Sequence, residues 1–159
     1  MKTKILPCSL APAALLLAIA TVSYQPAARA DDDAKLVTIV ANDTLKFNVK
    51  EIDATPGQKI HVQLRNEGTM PKDGMGHNWI LLDSEAAANN YAMTAISARD
   101  VGYQPKSLAA HVLASIPLLG PKEVGDVVFT APTKPGKYPF ICSCSGHSMA
   151  GMKGVLVVK

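Results

Sequence analysis

Cys142-Ser-Cys-Ser-Gly-His147-Ser-Met-Ala-Gly-Met152-Lys-Gly-Val-Leu-Val-Val-Lys159 ends this chain and places three candidate metal ligands in one short loop. His147 follows Cys142 by five positions, and Met152 follows His147 by five. The flanking residues, 137–142 and 154–159, are predicted to be strands. A loop between two strands can bring the three side chains to one point, and its glycines leave the backbone free to turn. We therefore expect a metal site at one end of a sheet.

A fourth ligand has to come from elsewhere in the sequence, and Met75-Gly-His-Asn-Trp79 is the natural source. His77 would supply a second imidazole, Gly76 would let the main-chain carbonyl approach the metal, and Asn78 would hydrogen-bond the thiolate loop. A lone histidine or methionine is more often an ordinary surface or core residue, so the combination carries the argument. Two imidazoles, a thiolate and a methionine thioether are typical of a copper site that passes single electrons.

The rest of the sequence is mostly period-two with turn residues between the segments, which is typical of an all-β sandwich or barrel. Residues 84–97 are the one predicted helix, with Ser84 as its N-cap, and residues 99–119 are predicted to be irregular. We expect an otherwise antiparallel sandwich with the helix as an excursion. The further predicted strands are residues 35–40, 45–49, 59–65, 78–82 and 126–130.

The first thirty residues have the pattern of a secretory signal peptide. Lys2 and Lys4 precede an almost uncharged run over residues 10–22, and Ala28-Arg29-Ala30 is typical of a cleavage site. The apolar run is too short to span a bilayer comfortably, which disfavours a retained anchor. We expect cleavage after Ala30, a periplasmic or otherwise exported protein, and one mature domain over residues 31–159 with no membrane span.

The charge of the predicted mature chain is balanced. The formal net charge of +3 belongs to three basic residues of the leader, and the 13 acidic residues are then matched by as many basic ones. No basic stripe indicates a nucleic-acid partner. The sequence also has no visible nucleophile–base pair, carboxylate dyad or second metal site, so we do not expect an enzyme.

Two cysteines, Cys142 and Cys144, remain once Cys8 is lost with the leader. An exported protein could oxidise this pair, but residues two apart on a strand have poor geometry for a disulfide, and a small loop gains little from closure. A metal role is therefore the better hypothesis for at least one of them. The spacing to His147 leaves either cysteine open as the thiolate ligand.

The chain resembles the cupredoxins, and among them azurin, with a His–Met spacing similar to that of auracyanin. The resemblance covers nearly all of residues 31–159. It rests on four motifs: Met75-Gly-His-Asn-Trp-Ile-Leu81, Tyr138-x-Phe140-x-Cys142, Gly146-His-Ser148 and Met152-Lys-Gly154.

This resemblance implies an eight-stranded Greek-key β-sandwich that shuttles electrons in the bacterial periplasm. It favours Cys142 as the thiolate ligand, because the aromatic residues upstream of it are placed as in the family. Ser143 and Cys144 would then lie beside the site, with the Cys144 N–H donating to the Cys142 sulfur. The implied ligands of one copper per chain are His77, Cys142, His147 and Met152, with the Gly76 carbonyl on the far axial side.

The sequence also departs from the azurin pattern in three ways. Azurins space the last histidine and methionine one residue closer. They carry an aromatic residue in place of Cys144 and a proline in place of Ser145. The usual azurin disulfide near the N-terminus has no counterpart, since no cysteine precedes Cys142 in the predicted mature chain.

An apolar patch of Met70, Pro71, Met149 and Ala150 around His147 is expected to dock redox partners, such as c-type cytochromes or copper enzymes. Met70 and Met149 are as readily explained by core packing. The main rival function is a periplasmic copper chaperone or buffer, which the methionines and the extra thiol favour. A metal-free adhesion sandwich would leave the ligand constellation unexplained.

Overall fold

The period-two pattern of the sequence forms strands in the computed structural model, which describes residues 33–159. The predicted signal peptide, residues 1–30, lies outside these described residues. The nine strands of the described chain are β1 Lys35–Asn42, β2 Lys46–Phe47, β3 Glu51–Ala54, β4 Lys59–Asn66, β5 His77–Leu82, β6 Val112–Leu119, β7 Val124–Thr130, β8 Gly136–Ile141 and β9 Lys153–Val158. In β4, Ile60, Val62 and Leu64 are fully buried and alternate with more exposed residues, so one face lies against the core.

The strands form two sheets, with the orders β2-β1-β4-β7 and β3-β9-β8-β5-β6. The prediction of an all-β sandwich is confirmed, with nine strands in place of about eight. The expectation that it is otherwise antiparallel is wrong, because β1 runs parallel to β4 and β3 runs parallel to β9. Strand direction follows from how the chain crosses between the sheets, and alternation within a strand carries no information about it.

An aromatic cluster packs between the two sheets. The ring of Trp79 in β5 is fully buried, with its centroid 5.5 Å from that of Phe140 in β8 and 6.0 Å from that of Phe129 in β7. Phe47 in β2 adds a contact to Phe140 at 5.9 Å. Since β2 and β7 belong to one sheet and β5 and β8 to the other, these rings join the two layers.

The predicted helix forms as α2 (Glu85–Ala95), after a four-residue helix α1 (Lys72–Met75). Ser84 caps α2 as expected, accepting a hydrogen bond from the Ala87 N–H at 3.2 Å. Because α2 packs against β5 and β8, all six residues of β5 are buried. No helix within residues 33–159 has the length and apolar character needed to cross a membrane.

The prediction that residues 99–119 are irregular is wrong. This segment contains two 3₁₀ helices, Arg99–Val101 and Lys106–His111, followed by the eight-residue strand β6. Pro117 weakens the strand pattern in the sequence. It is tolerated because β6 lies at the edge of its sheet, where a residue without an N–H costs little.

Candidate metal centre

The antiparallel pairing of β5 with β8 brings the parts of the site together at one end of the sandwich. β5 begins at His77, and β8 ends one residue before Cys142. Ile80 pairs with Ile141, so the start of β5 lies beside the residues that follow β8. The loop that follows Cys142 leads through Met152 into β9.

His77, Cys142 and His147 each turn one potential ligand atom toward a common point. The three atoms lie within 4.8 Å of one another. Cys142 Sγ is 3.4 Å from His147 Nδ1 and 4.0 Å from His77 Nδ1, and all three residues are buried. Metal–ligand bonds of about 2.0–2.3 Å place neighbouring ligand atoms at roughly this separation, so the three can share one ion.

The backbone of the loop between β8 and β9 folds back on itself and returns Met152 to Cys142. The Cys142 N–H donates to the Met152 carbonyl, and the Met152 N–H donates to the His147 carbonyl, each at 3.0 Å. Gly151 has a φ of 93°, a value that residues with a side chain rarely adopt. Met152 is fully buried, so its side chain points into the interior next to the strand end that carries the thiol.

Gly76 occupies a position where no side chain fits. A Cβ there would lie 2.6 Å from the Lys72 carbonyl oxygen and 2.9 Å from Leu118 Cγ. The Gly76 N–H donates to that same Lys72 carbonyl at 2.9 Å. The glycine therefore permits the close passage of the backbone from α1 into β5, and its carbonyl belongs to the peptide that leads to His77.

Burial keeps the two histidines of the site neutral, which is the form in which imidazole binds a metal. Desolvation lowers the pKa of His77 to about 4, assisted by the neighbouring His147 and opposed by Asp43 and the Asn42 carbonyl. Burial also lowers the pKa of His147. Among the described residues, His77 Nε2 makes no hydrogen bond of good geometry, so the Asn42 carbonyl is at most a weak partner for it.

The Cys142 sulfur lies in an apolar setting with two nearby donors. Burial raises the pKa of its thiol to about 12, while the backbone N–H groups of Asn78 and Cys144 favour the thiolate and oppose this shift. The metal-free protein therefore carries a neutral thiol at pH 7, and metal binding releases a proton. A thiol of this kind and two neutral imidazoles fit copper, because sulfur suits Cu(I) and imidazole also suits Cu(II).

Asn78 ties β5 to the residue after Cys142, as the sequence predicts. Its side-chain oxygen accepts from the Ser143 N–H at 2.7 Å, and its side-chain nitrogen donates to Ser143 Oγ at 2.8 Å. Ser143 Oγ in turn donates to the Tyr103 carbonyl at 2.6 Å. All of these groups are buried, so this network fixes the backbone directly after Cys142.

We expect Asn78→Ala to destabilise the copper-free protein by about 2–3 kcal/mol, because the buried Ser143 N–H loses its partner. Urea unfolding of the copper-free variant measures this. Asn90→Ala, on the exposed face of α2, is the matched control and should change the free energy of unfolding by less than about 0.5 kcal/mol. Equal stability of the two variants would show that the network is dispensable.

Cys144 is also buried, but its thiol is not among the converging ligand atoms. Burial raises the pKa of this thiol, and the Ser145 N–H, the Tyr103 hydroxyl and Arg99 partly offset the rise. Both cysteines are free within the described part of the chain, and the ligand atoms that converge include Cys142 and not Cys144. The geometry thus favours Cys142 as the thiolate, in line with the resemblance.

The residues of the predicted docking patch are all exposed. Met149 and Ala150 belong to the loop between β8 and β9, which we call the ligand loop because it carries His147 and Met152. The side chain of Met149 is 65% exposed. Met70, at 47%, and Pro71 precede α1. Their exposure excludes core packing for the two methionines. His147 itself is only 4% exposed, so little of its ring reaches the surface.

Sequence reasoning overlooks Asp43, a turn residue after β1 that has no local motif. Its carboxylate accepts from the Thr69 N–H at 2.9 Å and from the Thr69 hydroxyl at 3.0 Å. These bonds, with one from the Met70 N–H, hold the pKa of Asp43 below its usual range. Asp43 thereby anchors the segment ahead of α1 and places a negative charge near His77.

A β-sandwich with two imidazoles, a thiol and a buried methionine together at one end is the defining arrangement of a cupredoxin. The sequence model of copper binding proteins of the plastocyanin/azurin family matches residues 34–159. The chain belongs to this family, and copper is its cofactor.

Comparisons with individual proteins agree with this assignment. Azurin of Pseudomonas aeruginosa is 38% identical over 128 residues, which cover 77% of this chain and 84% of that protein. Auracyanin-B of Chloroflexus aurantiacus is 34% identical over 121 residues, 74% of this chain and 49% of that one. The crystal structure of dithionite-reduced auracyanin from Roseiflexus castenholzii superposes with a TM-score of 0.71 at 30% identity, covering 79% of this chain and 98% of the other.

Proposed function

We propose that this protein is an exported blue-copper electron carrier that exchanges single electrons between redox partners. The observation that carries the proposal is the convergence of His77, Cys142 and His147 within 4.8 Å, with Met152 buried at the same loop. Copper bound there would supply the Cu(I)/Cu(II) couple. Azurins and auracyanins, whose family this chain shares, are carriers of this kind and not enzymes.

The protein's contribution is to hold the ligands in one arrangement for both oxidation states. His77 is placed by β5, Cys142 by the end of β8, and Met152 by the hydrogen-bonded loop between β8 and β9. Burial excludes water from the site. Because the ligands need not rearrange when an electron arrives or leaves, transfer can be fast.

We place partner docking at the patch of Met70, Pro71, Met149 and Ala150. A groove of about 440 Å³ between α2 and the ligand loop adjoins it at Met149. Exposed methionines adapt to different surfaces, which suits brief contact with c-type cytochromes or copper enzymes. Export rests on the signal-peptide pattern of residues 1–30, and the mature chain would be one cupredoxin domain over residues 31–159.

The rival function, a copper chaperone or buffer, needs an open site that releases its metal. The proposed ligands are at most 4% exposed, and the extra thiol of Cys144 is buried against Tyr103. Neither feature favours rapid metal transfer. The electron-carrier function is therefore the better supported of the two.

Titration of the mature protein with Cu(II), followed by visible absorption, tests the proposal. We expect an intense blue thiolate-to-copper band that saturates at one copper per chain. A colourless product, in which Cu(II) is reduced and the two cysteines are oxidised to a disulfide, would contradict electron transfer and favour copper handling.

A further inference from the structure

Two lysines from outside the ligand loop donate hydrogen bonds to the backbone around Met152. Neither lysine has a role in the site described above. Lys46 lies in β2, and Lys50 lies between β2 and β3. Lys46 Nζ donates to the Ala150 carbonyl. Lys50 Nζ donates to the Gly151 carbonyl at 3.2 Å and to the Lys153 carbonyl at 3.4 Å.

The three accepting carbonyls flank Met152 on both sides. Two precede it in the loop and the third opens β9, so the lysines bracket the residue proposed as the axial ligand. Hydrogen bonds from an ammonium are stronger than those between neutral groups. Gly151, whose φ of 93° favours glycine, lies next to this contact, and a Cβ there would be 2.7 Å from Lys46 Nζ.

Met152 is itself held by its backbone bonds to His147 and Cys142. The turn before it has short-range bonds, from the Gly151 N–H to the Ser148 carbonyl and from the Ala150 N–H to the Gly146 carbonyl. Among the described residues, the two lysines are the donors to the Ala150 and Gly151 carbonyls. Met149 and Ala150, which precede Gly151 in this turn, are both exposed. A methionine thioether is a weak, neutral ligand, so copper would hold the loop mainly at Cys142 and His147 and only weakly at Met152.

We propose that Lys46 and Lys50 are positioning residues that hold the His147–Met152 loop so that the Met152 sulfur stays at the metal. This inference rests on the proposed copper site. Loosening Met152 would withdraw electron density that favours Cu(II) and so raise the reduction potential. Loss of two positive charges alone would lower the potential, because positive charge disfavours the more highly charged Cu(II).

The test compares four forms of the protein: wild type, the Lys46→Ala/Lys50→Ala double variant, the Lys46→Arg/Lys50→Arg double variant and Lys137→Ala. Lys137 is exposed on β8, five residues before Cys142, and its replacement is the control for loss of a surface lysine that does not contact the loop. Amide hydrogen exchange at Met152 in the copper-free protein reports whether the loop is held. The blue absorption band and the reduction potential of the copper-loaded protein report the axial contact.

In the double alanine variant we expect Met152 exchange to rise about tenfold, the factor that corresponds to one charge-assisted hydrogen bond. We also expect a shifted blue band and a raised potential. The arginine variant should retain wild-type exchange, since it keeps the charge and the donors, and Lys137→Ala should match wild type in both readouts.

Unchanged exchange and an unchanged blue band in the alanine variant would overturn the proposal. Unchanged exchange with a lowered potential would also overturn it, because the lysines would then act through charge alone. The exchange measurement needs no copper. A wild-type protein that never turns blue would therefore defeat the proposed function, while faster Met152 exchange would still show that the lysines hold the loop.

Discussion

Replacing Cys142 by serine is expected to abolish the blue absorption of the copper-loaded protein. Cys142 Sγ is the sulfur that lies 3.4 Å from His147 Nδ1, and a serine hydroxyl cannot supply the thiolate-to-copper transition. The fold should persist, because serine is close to cysteine in size. Visible absorption after titration with Cu(II), with circular dichroism to confirm folding, measures the effect.

Cys144→Ser is the matched control, since it removes the other thiol of the same loop. Its sulfur has the Tyr103 hydroxyl and Arg99 as polar neighbours and is not among the converging ligand atoms, so the band should remain. The opposite pattern, with colour lost in Cys144→Ser and kept in Cys142→Ser, would make Cys144 the thiolate ligand and refute our assignment.

Trp79→Ala is expected to cost about 3–5 kcal/mol of stability, the largest loss we anticipate for one core substitution. The indole is fully buried and packs against Phe140 and Phe129, so its removal leaves a cavity between the two sheets. Urea unfolding of the copper-free protein measures the free energy of unfolding without a contribution from metal binding.

Two comparison variants separate the loss of packing from other effects. Trp79→Phe should cost less than Trp79→Ala, because the ring is partly kept and the indole N–H, which has no hydrogen-bond partner among the described residues, is removed. Leu36→Ala, at a position 60% exposed, should change stability by less than about 0.5 kcal/mol. A loss below about 1 kcal/mol in Trp79→Ala would contradict the central role of this ring.

The fold class was predictable because burial alternates along most strands. In β4 and in α2 with its Ser84 cap, the local sequence and the final environment agree. β6 was not predictable in the same way, since Pro117 interrupts its pattern and the strand is defined by its pairing with β5 at the edge of the sheet. The parallel pairing of β1 with β4 likewise depends on chain crossings that no local pattern records.

The residues of the candidate site also differ in how far the sequence predicts them. Cys142, His147 and Met152 were predictable as a group because they share one loop, and His77 because a metal with that donor set needs a second imidazole. The residues around these ligands were harder to predict from the sequence. Asp43 lies near His77 only in the folded chain, and its hydrogen-bond partner Thr69 is 26 positions away in the sequence.

By itself, the sequence determined the kind of fold, the identity of the donor atoms and the family, because alternation of burial and ligand spacing are local properties of the chain. Ligand spacing left both Cys142 and Cys144 open, and only the family resemblance favoured Cys142. The tertiary structure then showed directly that the Cys142 sulfur faces the two imidazoles. It also decided that Lys46 and Lys50 contact the ligand loop, because contacts across about a hundred residues exist only once β2 and β9 are packed together.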